Sequence, residues 1–278
     1  MPVIGIMQGR LSPPRQGRIQ SFPVETWEEE YPRAREAGLD CIEWIYEKET
    51  EHRNPLACDD GISRIRELAS TWSVGVHSIC ADYYMTSQLI DPAGEVSRPS
   101  LQHLAWLMER ARRLGARYII LPFVDASSLR RNRRSAGLQT LLETILPGAE
   151  RSGIEIHLET DLPPDTLIKI LQENDHPLVR ANYDIGNSAS LGYDPEQELT
   201  LLGEYIGSVH VKDRVLGGGT VPLGEGAADF PLCFRLLAEN GYRRSYILQT
   251  ARGTEGDEVT LAARNRRFVL GHLASLPT

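Results

Sequence analysis

The chain has 278 residues, 41% hydrophobic and 24% charged, with a formal net charge of −8 and a pI near 5.5. That balance argues against a general nucleic-acid surface, which needs a basic face, and no apolar run approaches the length of a membrane span. The four cysteines (Cys41, Cys58, Cys80, Cys233) are scattered without a CxxC pair. They fit neither a zinc knuckle nor a disulfide framework, and the reducing cytoplasm is the simplest home for them.

Read in order, the pattern alternates short apolar runs with amphipathic stretches. Met1-Pro2-Val3-Ile4-Gly5-Ile6 has no basic region and reads as the start of a first strand rather than a signal peptide. Strands are expected at 3–7, 40–45, 74–80, 117–121, 154–158, 179–183, 206–211 and 245–249. Several are apolar on both faces, as buried parallel strands are. Helices are expected between them at 26–37, 60–71, 98–114, 135–151, 163–173, 195–204, 229–240 and 257–273. Pro32 should kink the first of these and Pro147 should weaken the end of the fourth. Asp229 is a plausible N-cap and Gly241 a stop.

Eight strand–helix pairs over this length predict one (β/α)8 barrel spanning 1–278. A doubly wound open sheet would need a nucleotide-binding turn after an early strand, and Gln8-Gly9-Arg10-Leu11-Ser12-Pro13-Pro14 is not one. The segments after strands one (8–25), two (46–58), three (81–97) and seven (212–228) are longer than usual for such loops. All would lie on the face where barrel active sites form.

Four polar residues close four late strands: Glu159 in IEIHLET, Asp184 in ANYDIGN, His210 in SVHVKD and Gln249 in YILQT. Singly each has a bland reading. Asp184 could be a helix cap, and a lone strand histidine is more often a core residue. A carboxylate in line with an apolar strand is costly to bury alone. Together, on successive strand ends, two carboxylates, an imidazole and an amide oxygen form a reasonable shell for a divalent cation.

The stretches DIGN, VHVKD, VPLGEGAADF and YILQ resemble the sugar-phosphate isomerase/epimerase superfamily with its xylose-isomerase-like TIM barrel, nearest to pentulose-phosphate 3-epimerases and hexulose-phosphate isomerases. The likeness is most specific over 155–250. It implies one divalent metal ion (Mn, Mg, Co or Zn) held by Glu159, Asp184, His210 and the residue at 249. In that family the fourth ligand is glutamate, and the two glutamates move protons on opposite faces of the substrate. Gln249 departs from the pattern: an amide can offer oxygen to a metal but cannot accept a proton at neutral pH. The resemblance therefore implies an isomerase or epimerase of a small keto-sugar or sugar phosphate, acting through an enediolate with Glu159 as base. A second base would have to come from elsewhere, with Glu43, His77 and Asp82 as candidates.

The expected substrate contacts are Gln8, Arg10, Asp82, Asn187, Lys212, Asp213 and Arg252. The glycine-rich segment 217–226 is expected to be a mobile cover over the mouth. The basic run Arg130, Arg131, Arg133, Arg134 reads by default as a solvated loop or helix start. Two rival functions stand beside the isomerase: a lyase dehydrating a keto-sugar or cyclitol at the same site, and a non-catalytic sugar- or metal-binding barrel. An abasic-site endonuclease, as found elsewhere in the superfamily, would need a histidine-rich three-metal site that this acidic chain lacks. The expected partner is a small sugar, with no nucleic acid and no membrane, and a homo-oligomer is compatible with this reading.

Overall fold

Eight parallel strands close on themselves in a computed structural model that describes residues 2–130 and 134–276. The order of elements is β1 (Ile4–Met7), α1 (Glu30–Glu36), β2 (Cys41–Ile45), α2 (Asp59–Trp72), β3 (Gly75–Cys80), α3 (Tyr83–Thr86), α4 (Arg98–Leu114), β4 (Tyr118–Phe123) and α5 (Arg134–Ser152). It continues with β5 (Glu155–Thr160), α6 (Pro164–Asn174), β6 (Val179–Asp184), α7 (Ile185–Leu191), α8 (Pro195–Leu202), β7 (Ile206–Val211), β8 (Asp213–Arg214), β9 (Thr220–Val221), α9 (Phe230–Glu239), β10 (Tyr246–Leu248) and α10 (Glu258–Ala274). Around the barrel the strands run β1, β2, β3, β4, β5, β6, β7, β10 and back to β1. This is the (β/α)8 barrel expected from the sequence.

The strands form where the sequence is short and apolar, and they are buried almost throughout. The helices turn apolar stripes onto them: Ile62, Ile65 and Leu68 on α2, and Leu104, Leu107 and Ala111 on α4. Each fully buried Leu or Ile of this kind contributes about 1.5–3 kcal/mol. Helix α1 begins later than expected. Its Pro32 falls in the first turn, where a missing N–H costs little, so the helix is not kinked but starts at Glu30. Helix α5 runs on through Pro147 to Ser152.

Two short helices, α3 and α7, and a ribbon lie in segments read as loops. The ribbon pairs β8 with β9 in antiparallel fashion and takes up the glycine-rich segment. It is anchored rather than loose. Asp213 is fully buried and accepts from the backbone N–H groups of Gly224 (2.8 Å), Gly226 (2.9 Å) and Ala228 (3.2 Å). Arg214 closes the tip by donating to the Gly218 carbonyl. Of the basic run, Arg130 is exposed, Arg134 opens α5, and Arg131 and Arg133 lie outside the described residues.

Candidate active site

The carboxyl ends of the strands surround a pocket of about 820 Å³, to which every strand end or its following loop contributes. Glu159 lines it and forms a buried cluster with Asp184 and His210, one ligand atom of each lying within 4.8 Å of the others. Strand pairing puts them there: β5, β6 and β7 are neighbours, and Asp184 sits level with His210 in the register. Asp184 serves two ends. Its Oδ1 caps α7 by accepting from Asn187 N (2.8 Å), and its Oδ2 accepts from Lys212 Nζ (2.8 Å). One oxygen of Asp184 is thus the helix cap, and the other faces Lys212.

His210 is oriented from behind. Its Nε2 lies 2.7 Å from Glu43 Oε1, and Glu43 Oε2 accepts from Ser78 Oγ at 2.6 Å. A carboxylate only accepts, so Nε2 carries the proton and donates. Nδ1 accepts from Asn182 Nδ2 (3.2 Å) and lies 3.7 Å from Asp184 Oδ2 and 3.9 Å from Glu159 Oε2. A carboxylate behind a ligating imidazole is a common way to hold it in one tautomer. Polar contacts continue down the barrel axis: His210 to Asn182 (3.2 Å), Asn182 to Ser208 (2.7 Å), Ser208 to His157 (2.8 Å), and His157 to Glu155 (2.9 Å). Gly207 makes room for this column, since a Cβ there would lie 2.5 Å from the His157 ring.

The charges follow from this packing. Burial raises the Glu159 carboxyl and Asp184 adds to the rise, against His210 and Lys212. Burial would raise Asp184 too, but Lys212 and His210 outweigh it and hold that carboxyl below its ordinary range. Burial pushes His210 down, yet Glu43 and Asp184 carry it up to about 10.

The opposite wall is built by β3, β10 and the loop after β1. Gln20 Nε2 donates to Asp82 Oδ2 (2.8 Å), Gln20 Oε1 accepts from Arg10 Nη2 (3.3 Å), and Gln249 Nε2 donates to the same Gln20 Oε1 (3.0 Å). Arginine can only donate, so the Gln20 oxygen must face Arg10, and the group that Gln249 turns to that oxygen must be its NH2. The Gln249 oxygen is thereby directed elsewhere. It is buried and has no hydrogen-bond partner. Ile247 pairs with His210, and Gln249 lies two residues further along the same side of the pleat. Two carboxylate donors, one imidazole and an orphaned amide oxygen at one mouth fit a divalent cation.

Several expectations need correction. Glu43 is not a base facing substrate: it is 0% exposed and occupied by His210 and Ser78. His77 lies at a register shift between β2 and β3, folded against Gly75, with Asp40 and Arg117 as its charged neighbours at the amino ends of the strands. It is away from the pocket. Asp213 is spent on the ribbon. Arg252 donates to the carbonyls of Ile19 (3.0 Å), Ser12 (2.9 Å) and Gly9 (2.9 Å), pinning the loop after β1 rather than facing the pocket. Gln8 accepts from Ile45 N (3.0 Å) and extends the β1–β2 pairing. Gly9 takes φ +82°, and a Cβ there would lie 2.5 Å from the Ser21 carbonyl. The Gln-Gly-Arg run thus contributes only Arg10 to the lining, alongside Asp82, Asn187 and Lys212.

Two residues of this arrangement had no signal in the sequence. Gln20 lies in RIQSFP, which has no periodicity, and Glu30 reads as one more charge of a helix start. Glu30 is buried and accepts from Gly9 N (3.0 Å) and Leu11 N (3.1 Å), and burial raises its carboxyl to about 7.

The sequence matches the xylose isomerase-like TIM barrel family over residues 32–270. The chain belongs to that family. Among curated relatives, the L-ribulose-5-phosphate 3-epimerase UlaE of Escherichia coli O157:H7 is 26% identical over 263 residues, covering 90% of this chain and 91% of the relative. Among solved structures, IOLI protein with a binding zinc atom superposes with a TM-score of 0.76 at 16% identity, over 99% of this chain and 100% of the other. The D-allulose 3-epimerase of Methylomonas sp. gives a TM-score of 0.71 at 16% identity, over 98% of this chain and 99% of the other. At these identities the two structures speak for the fold. Among the described residues no helix is long and apolar enough to cross a membrane.

Proposed function

We propose that this barrel is a divalent-metal-dependent isomerase or epimerase of a small keto-sugar or its phosphate. The observation that carries the reading is the set Glu159, Asp184 and His210 at one mouth, with the partnerless oxygen of Gln249 beside it. These four residues would hold the ion. When bound, it supplies a Lewis acid that lowers the energy of an enediolate formed from an α-hydroxy ketone.

The protein's own groups do the rest. Glu159 is the base: its carboxyl is raised by burial, which suits a group that must take and return a proton near neutral pH. Asn187 Nδ2 donates to Glu159 Oε1 (2.9 Å) and fixes the carboxylate's direction. Lys212, on Asp184, adds positive charge at the floor, and Arg214 holds Asn187 from the other side (2.9 Å). Arg18, Lys48 and Arg130 stand at the rim among Glu47, Glu49, Asp125 and Asp161, with Arg18 paired to Glu47 and Glu49. The relative named above is a pentulose-phosphate epimerase, and pentulose 5-phosphates are accordingly the first substrates to try.

The test is NMR of pentuloses and their 5-phosphates incubated with protein stripped by chelator and reloaded with Mn²⁺. Conversion should appear only in the reloaded sample and fall about 10²–10⁴-fold in Glu159→Gln. Conversion indifferent to both treatments would remove the reading.

A further inference from the structure

The pocket has two walls. One carries Glu159, Asn187 and Lys212 from the β5–β7 side. The other carries Asp82, Gln20, Gln249 and Arg10 from β3, β10 and β1. The first wall has a proton-transfer group in Glu159. In the second, Gln249 is an amide and so is Gln20, and neither exchanges a proton with a carbon. Arg10 is committed to the Thr250 carbonyl (2.9 Å), the Ile19 carbonyl and Gln20. Cys80 is 1% exposed and sits behind Asp82, with its Sγ 3.3 Å from Asp82 Oδ1. Of the titratable groups considered for a second base, Glu43 is sealed behind His210 and His77 lies at the other end of its strand. Glu47, which also lines the pocket just past β2, accepts from Phe22 N (3.0 Å) and Thr50 Oγ1 (3.2 Å) and pairs with Arg18, so Asp82 is the remaining acid on this side of the lining that is not exposed.

We propose that Asp82 is the second proton-transfer residue, acting on the face of the substrate opposite Glu159, so that the site can invert a carbon despite Gln249. The proposal rests on the enediolate reading above. Glu159 takes the proton from the carbon next to the carbonyl, and the C–H electron pair passes into the enediolate. The Asp82 carboxyl then gives its proton to the other face of that carbon. A new C–H bond forms there and the carbonyl is restored. Glu159 ends protonated and Asp82 ionised, and exchange with water resets both. No oxidant or reductant is needed.

The surroundings suit the task. Burial raises the Asp82 carboxyl above its ordinary range, against hydrogen bonds from Gln20 and Cys80 and the charge of Arg10. Gln20 holds one oxygen from the Gln249 side. The amide pair thus aims a carboxyl from the third strand into the pocket that the eighth strand's residue cannot serve.

The test uses full-length, Mn²⁺-loaded protein in deuterated water with the D- and L-forms of ribulose 5-phosphate and xylulose 5-phosphate. Wild-type protein should incorporate deuterium at C3 of one of them and form its 3-epimer. Asp82→Asn should keep C3 exchange within about tenfold while epimer formation falls about 10²–10⁴-fold. Asp82→Glu, which keeps an acid and guards against a folding artefact, should regain part of the epimer formation. Glu159→Gln should lose both signals. Epimer formation by Asp82→Asn at the wild-type rate, or equal loss of exchange and inversion in both Asp82 variants, overturns the role of Asp82. Wild-type protein that neither exchanges nor inverts any of the four overturns the enediolate reading itself.

Discussion

Replacing Gln249 by glutamate restores the carboxylate that the resemblance implies at this position, yet the structure predicts a cost. The polar run from Gln249 to Gln20 to Asp82 has one direction. Gln249 donates to the Gln20 oxygen, and Gln20 donates to Asp82. An ionised glutamate side chain at position 249 would set oxygen against oxygen where the wild-type bond is 3.0 Å. Turning Gln20 over would not relieve it, because its NH2 would then face Arg10, which can only donate. One buried acceptor is left unsatisfied, at about 1–3 kcal/mol. For a chain of this size that is roughly 2–12 °C in melting temperature. The assay is a thermal melt at pH 7.5 of Gln249→Glu against wild type, both stripped with chelator and then reloaded with Mn²⁺. The deficit should appear in the stripped protein and shrink on reloading, when the new carboxylate gains a cation. A stripped Gln249→Glu as stable as wild type would refute the directed run, and with it the orientation assigned to the Gln249 oxygen.

Three further outcomes are expected. Gly207→Ala should destabilise the barrel by about 1–3 kcal/mol, read by urea titration, because its methyl would meet the His157 ring at 2.5 Å. Asp213→Asn should leave the barrel melt close to wild type but speed proteolysis within 215–228, since the acceptor for three backbone N–H groups is weakened. Glu155→Gln should cost stability in a pH-dependent way. Burial alone would raise this carboxyl, but His157 and the forked contact from Arg244 lower it from 4.5 to about 2. The stabilisation is fully present above pH 4.5 and disappears as pH falls through 2. Its ceiling is about 3 kcal/mol, and partial exposure of Arg244 reduces the expected difference at pH 7 to about 1–2 kcal/mol. Urea titrations of both proteins at pH 7 and pH 3 should show the gap narrowing, and a gap that widens would contradict the assignment.

The barrel was legible because its strands are short apolar runs separated by amphipathic helices, and burial on both faces leaves that pattern little freedom. Helix α4 illustrates this: Ser97 caps it, Gly115 ends it, and its stripe of Leu104, Leu107 and Ala111 has a single way to face the strands. The short α3 and α7 were not legible. Four and seven residues are too few to show a period; Asp184 caps α7, and the Tyr46 carbonyl just past β2 accepts from Tyr83 N at the start of α3. In the site, residues that stand one per strand end could be read from position alone. What a polar side chain beyond the strand end does could not. Arg252 and Asp213 look like ligand-binding groups in the sequence, but three backbone partners each claim them. Gln20 looks like nothing and joins both sides of the second wall, because its place depends on how the 22-residue connection 8–29 returns across the barrel mouth.

In the proposed mechanism, proton transfer at Glu159 depends on an ion held by Glu159, Asp184, His210 and Gln249. It is tested most directly by elemental analysis of the purified protein combined with solvent-deuterium uptake into a pentulose 5-phosphate. About one divalent ion per chain is expected. Chelator should remove ion and uptake together, and re-addition of Mn²⁺ should restore both. Uptake that persists in ion-free protein, or a chain that takes up no ion when one is offered, would contradict it.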